Sequence, residues 1–233
     1  MTTEYLQSRF GLTVVLALCL SLGLIGGEMG GTHAEAAVYY VDRGHSAASD
    51  RNPGTSPGLP WQTIKKANET LKAGDTVVIA AGTYEEEISP QSSGAAQAPI
   101  TYVAKPGDRP VVRHVIFLKR EYIRVIGIEV TQNSKAYRNA VEIYASHHCE
   151  ILNNYIHHTL GQGIRNNAYY GHSNYNVIRG NTIAYTGYPL GLPGEAKGAN
   201  AINLLGNYNL IEYNDISHTL DFVDTNGGYN IIR

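Results

Sequence analysis

Cysteine is nearly absent from this sequence. The 233 residues hold Cys19 and Cys149, with one tryptophan, three phenylalanines and two methionines. Cys19 sits in what reads as a cleaved leader, so Cys149 has no partner in the remainder. No internal disulfide can form, and stability must come from packing, hydrogen bonds or bound ions. Charge is scarce as well, at 16% of residues with a formal net charge of −2. That balance offers no basic stripe, which excludes the phosphate-tracking surface of a nucleic-acid binder. Long apolar runs are missing too. The longest, Leu12 to Ile25, falls short of the roughly 18 residues a spanning helix needs.

That short run has a different reading. Arg9 precedes it, and Ala34-Glu35-Ala36 follows with the small-x-small pattern of a signal-peptidase site. Residues 1–36 are therefore expected to be a signal peptide, and the protein to be secreted, periplasmic or on the cell surface. A lipidated Cys19 is the alternative, with the bulky Leu18 before it as the argument against. Removing the leader takes away one Arg and three acidic residues and leaves equal numbers of each sign.

Glycine (25) and tyrosine (17) are abundant instead, a composition that suits strands joined by tight turns. The chain is also periodic. Tyr175-Asn176-Val177-Ile178-Arg179-Gly180-Asn181-Thr182-Ile183 matches Tyr208-Asn209-Leu210-Ile211-Glu212-Tyr213-Asn214-Asp215-Ile216 position for position. His148 to Ile156 and Tyr122 to Val130 are looser copies, and Tyr229-Asn230-Ile231-Ile232-Arg233 begins another. Spacing between copies is unequal while the strand is constant. Insertions therefore fall in loops and the stacked strand keeps its register, as in a solenoid.

Helical repeats are disfavoured because the copies are short, β-branched and without a 3.6-residue stripe. Leucine-rich repeats share Leu210-Ile211 through Asn214-x-Ile216, but leucine is sparse and no amphipathic helix fits between copies. The expected fold is all-β, a parallel β-helix. Val125, Ile151, Ile178, Ile211 and Ile232 would form one core column, and Val130, Ile156, Ile183 and Ile216 another. Asn176, Asn209 and Asn230, with Asn154, Asn181 and Asn214, would stack as amide ladders, since an amide both donates and accepts. Ahead of the coils, residues 37–75 are expected to hold a strand, a loop and a capping helix from Pro60 to Gly74. The coils themselves would occupy 76–233. The last copy stops at Ile232-Arg233, so C-terminal coils are expected beyond this sequence, and the complete protein is expected to be a monomer.

The N-terminal block carries a resemblance. Tyr39-Tyr40-Val41-Asp42, Asn52-Pro53-Gly54-Thr55, Pro60-Trp61-Gln62-Thr63-Ile64, Gly74-Asp75-Thr76-Val77-Val78-Ile79, Gly82-Thr83-Tyr84-Glu85-Glu86 and Ala98-Pro99-Ile100-Thr101 resemble secreted right-handed parallel β-helix proteins. The group is the pectate-lyase-like one, with chondroitinase-B-like and alginate-lyase-like members. The resemblance implies a polysaccharide partner, an acidic glycan above all, bound in a groove on one outer face. It also implies a Lys or Arg base for β-elimination, and Ca²⁺ to neutralise the uronate carboxylate. A non-catalytic glycan-binding or scaffold role is the competing reading, because the block precedes many activities.

Candidate residues follow from those needs. Lys197 lies in the longest interval between copies and is the candidate base, against the plainer reading of a solvated loop lysine. Arg165, after Gly161-Gln162-Gly163-Ile164, could hold a carboxylate bidentately, or simply face outward on a strand. Asp221 and Asp224 could supply Ca²⁺ oxygens, or belong to an ordinary turn. The pairs His147-His148 and His157-His158 invite a zinc or copper site, but strand neighbours are expected to point to opposite sides. Tyr169, Tyr170, Tyr175, Tyr185, Tyr188 and Tyr208 could stack on sugar rings.

Overall fold

The computed structural model describes residues 35–131, 139–166, 168–188 and 199–233. The chain enters on β1 (Val38–Val41), forms helix α1 (Ile64–Thr70), and continues through β2 (Thr76–Ile79) and β3 (Gly82–Ile88). The next coil has β4 (Ile100–Ala104) and the long β5 (Pro110–Leu118). Three-stranded coils follow: β6 (Ile123–Ile126), β7 (Glu129–Thr131) and β8 (Val141–Tyr144), then β9 (Glu150–Leu152), β10 (Tyr155–Thr159) and β11 (Ile164–Arg165). Next come β12 (Val177–Arg179), β13 (Thr182–Thr186) and β14 (Ile202–Leu205), then β15 (Leu210–Glu212), β16 (Asp215–Ser217) and β17 (Val223–Asn226), and lastly β18 (Ile231–Ile232).

All these strands pair in parallel with their equivalents in the neighbouring coils. One sheet runs β1-β2-β4-β6-β9-β12-β15-β18. The other bends at β5, which pairs β7 through Val111 and Val112 and β8 through Val115 to Leu118. From that bend one arm continues as β7-β10-β13-β16 and the other as β8-β11-β14-β17. The result is a three-sided parallel β-helix: the eight-stranded sheet is its first side, and the two arms are its second and third.

The core columns stand as the repeats predict. Val125 pairs with Ile151, Ile151 with Ile178, Ile178 with Ile211 and Ile211 with Ile232. On the second side Val130, Ile156, Ile183 and Ile216 stack in the same way. The amide ladders form as well. Asn181 Oδ1 accepts from the Asn154 backbone N–H at 2.9 Å and from Asn154 Nδ2 at 3.1 Å. Asn214 serves Asn181 likewise, and Asn209 and Asn230 continue the other ladder.

The residue leading each repeat takes a left-handed backbone. Tyr122, His148, Tyr175, Tyr208 and Tyr229 have φ between 54° and 60°, a conformation in which glycine is the unstrained choice. Their rings stack face to face at 4.7, 5.0, 5.0 and 5.1 Å. That stacking offsets the backbone strain, by roughly 0.5–1.5 kcal/mol per pair.

Helix α1 is shorter than expected. Trp61 is extended, bridging Val41 and donating its backbone N–H to Tyr40, so the helix opens only at Ile64. Thr63 caps it by accepting from Lys66 N at 3.1 Å. Asp50 takes the Gln62 and Thr63 N–H groups, and Glu86 those of Ile64 and Lys65. The exposed donors of the first turn are thus supplied with acceptors.

Candidate functional site

The outer face of the third side carries a continuous polar column. Glu142 on β8, Arg165 on β11, Asn203 on β14 and Asp224 on β17 are successive ladder partners. Their strand neighbours Val141, Ile164, Ile202 and Leu204 are buried, so alternation turns the column outward. Each coil adds about 4.8 Å, which places Arg165 and Asp224 roughly 10 Å apart along the axis.

The lower end of the column is held by a buried network. His114 is 3% exposed, yet it has a carboxylate on each ring nitrogen: Glu87 at 3.4 Å from Nδ1 and Glu142 at 3.5 Å from Nε2. Burial lowers the His114 pKa, but the hydrogen bonds and charges of Glu142 and Glu87 outweigh it and leave a net rise. Burial would raise Glu142, but bonds from His114, Asn139 and Tyr144 outweigh that and hold it below the ordinary value. Asn139 Nδ2 donates to Glu142 Oε1 at 2.8 Å. The Tyr144 hydroxyl is pushed up, first by burial and then by Glu142, so it keeps its proton. The Tyr144 ring stacks on Tyr170 at 4.8 Å, and Tyr169, 85% exposed, meets Tyr170 edge-on.

Arg165 stands next to this network with its guanidinium unbonded among the described residues. Most other described arginines are engaged: Arg113 with Glu85, Arg124 with Glu150, and Arg179 and Arg233 with Glu212. Arg120 donates to the Pro90 and Lys119 carbonyls, and Arg43 to the Thr83 carbonyl. Arg165 is thus a half-buried cation on the outward column, close enough to Tyr144 to act on its hydroxyl. Such a guanidinium can bind a carboxylate.

The other candidates separate. Asp224 shares the column and accepts from Asn203 Nδ2 at 2.8 Å. Asp221 precedes β17 and is exposed, its backbone carbonyl accepting from Ala201 N. Lys197 lies outside the described residues. Among the described residues no group of three or more His, Cys, Asp or Glu side chains could hold a metal ion. Asp221 and Asp224 would give Ca²⁺ two carboxylates of the roughly six to eight oxygens it takes, the others being carbonyls or water.

Two expectations need correction. His157 and His158 do not point apart, because His158 adopts φ 49° and turns its ring back. Their Nδ1 atoms come to 2.7 Å, close enough to share a proton, while His157 Nε2 meets Glu129 at 3.1 Å. The tyrosine expectation fails at Tyr175, Tyr185 and Tyr208. Neighbouring rings cover both faces of each, Tyr185 lying between His158 and His218. Only ring edges reach solvent there, so a sugar cannot stack on them. The exposed Tyr169, and Tyr170 by the face turned away from Tyr144, remain available for that role.

Sequence reasoning missed His114, Glu142 and Tyr144. A signal was present in β5, where alternation breaks: both His114 and Val115 are buried. A histidine at a break in an apolar strand is where a satisfied polar network is to be sought.

A three-sided coil stack with a polar outer column defines the parallel β-helix class to which polysaccharide lyases and several glycoside hydrolases belong. Residues 39–221 match the family described as "Pel9A-like, right handed beta helix region", and the chain belongs to that family. Among solved structures it is similar to a rhamnogalacturonan lyase, at 17% identity and TM-score 0.60, covering 83% of this chain and 62% of that one. It is also similar to pectate lyase Pel9A, at 20% identity and TM-score 0.61, covering 76% and 47%. The α-1,3-galactosidase A of Akkermansia muciniphila is 35% identical over 78 residues, 33% of this chain and 13% of that protein. The chain thus spans less than two thirds of each of these relatives. No helix among the described residues is long and apolar enough to cross a membrane.

Proposed function

We propose that this is a secreted β-helix protein that binds an acidic polysaccharide along the outer face of its third side and cleaves it by β-elimination. The observation that carries this reading is Arg165, a free guanidinium on an outward column. Arg165 takes the carboxylate of a uronate residue and stabilises the charge that develops there. A base removes the proton α to that carboxylate, the bond from the β-carbon to the glycosidic oxygen breaks, and a carbon–carbon double bond forms. Solvent water returns a proton to the departing oxygen. Lys197, in the interval that leads into β14, is the base we assign.

Elimination is favoured over hydrolysis by the spacing of carboxylates. Glu142 and Asp224 lie three coils apart, roughly 14 Å. The paired carboxylates of a glycosidase stand about 5–10 Å apart. Glu87 and Glu142 are nearer each other, but the His114 ring lies between them. The test is to incubate the protein with pectate, alginate and glycosaminoglycans, with and without Ca²⁺, and to follow the ultraviolet absorbance of unsaturated products. Product from at least one polymer, lost in Arg165→Gln, is expected. Binding without product would move the protein to the non-catalytic reading, and neither binding nor product would sink the proposal.

A further inference from the structure

A second guanidinium is as free as Arg165 and lies away from the polar face of the third side. Arg109 sits in the turn between β4 and β5, at the corner joining the first and second sides, opposite the third. Its Cζ lies 5.4 Å over the ring of Tyr155, which is itself stacked on His157 at 4.1 Å. Stacking fixes the guanidinium without neutralising it. The adjacent Asp108 does not neutralise it either, since its carboxylate accepts from Ala81 N at 3.0 Å and faces Lys105 at 3.8 Å.

Arg109 opens onto a polar hollow of about 440 Å³, whose lining also includes Asp108 itself, with Asn153, Tyr155, Gly180 and Thr182. Gly127 and Gly180 occupy the left-handed corner in the coils on either side of Asn153, and a side chain at Gly180 would collide with Asn153 Oδ1. The hollow exists because those corners are bare. It therefore joins one fixed cation, which suits a planar carboxylate, to the amide and hydroxyl of Asn153 and Thr182, which suit sugar hydroxyls.

We infer that this corner is a second saccharide site, specific for a carboxylated sugar and separate from the polar face of the third side. A polymer held at both places would gain avidity from the linkage.

The experiment is a titration of the full chain with galacturonate trimer, and with galactose trimer as the neutral control, followed by backbone amide NMR shifts. The acidic trimer should move the Asn153 and Thr182 amides, and the neutral one should not. Arg109→Gln should weaken that response at least tenfold and leave the shifts around Arg165 and Asn203 unchanged. Asn153→Gly, which keeps the left-handed corner, should weaken it several-fold. Corner amides that stay still, or that respond equally in Arg109→Gln, overturn the inference. Corner shifts that persist while the third side stays silent support it and count against the third side alone.

Discussion

Tyr175 shows how a single side chain can be held in an unfavourable backbone by its neighbours. Its φ of 58° is one that L-residues adopt at a cost, and its ring is clamped between His148 and Tyr208. Replacing it separates the two terms. Tyr175→Ala loses both stacking contacts and keeps the strain, whereas Tyr175→Gly loses the contacts and relieves the strain. The glycine variant should therefore be the more stable by about 1 kcal/mol, measured by denaturant unfolding. An alanine variant equal to or above the glycine one would mean the corner is unstrained. His114 makes a second residue-scale prediction, through pH. Its pKa is raised from 6.5, so its contribution is complete below that value and fades as pH rises through the higher folded value. Glu142 is lowered from 4.5, so its contribution is complete above that value and fades as pH falls through the lower folded one. The network should be strongest between those two ordinary values, and Tm measured against pH should show a maximum there that His114→Gln flattens. An unchanged profile would show that His114 carries no charge in the folded protein.

At the scale of elements, the amide ladders join coil to coil at the corners, where strand pairing stops. Asn181 makes the case most fully. It accepts from Asn154 and donates to the Ile151 carbonyl and to Asn214, all at 2.9–3.1 Å, the first two sets buried and the last part-buried. Asn181→Ala leaves several of those groups unsatisfied and should cost about 2–4 kcal/mol. A smaller loss, under about 0.5 kcal/mol by denaturant unfolding, would mean the ladder is incidental to stability. These ladders and the isoleucine columns were legible in the sequence, because stacking makes every coil repeat one template. The Glu87–His114–Glu142 network was not legible. Its partners are 27 and 28 residues apart and fall outside the repeated segment. The contact between the His157 and His158 rings was hidden for another reason. Period-two alternation holds only for extended residues, and His158 is left-handed. The aromatic corners misled in the same way: the rings are outward, but each is consumed by its neighbours.

For the whole molecule, the candidate site was legible only in part. Arg165 and Asp224 share one outer column because the unequal insertions fall in the connecting segments and leave their strands in register, while Asp221 falls in the connecting segment before β17. The account rests on Arg165 acting as a carboxylate receptor on a polar face that runs along the stack. The most direct measurement compares kcat/KM on a polyuronate with that on its methyl ester, for the wild type and for Arg165→Gln. The wild type should prefer the free acid, and the variant should lose that preference by about 10–100-fold, as expected for one charged hydrogen-bonded pair of roughly 1.5–3 kcal/mol. A preference for the acid that survives unchanged in Arg165→Gln would contradict the account.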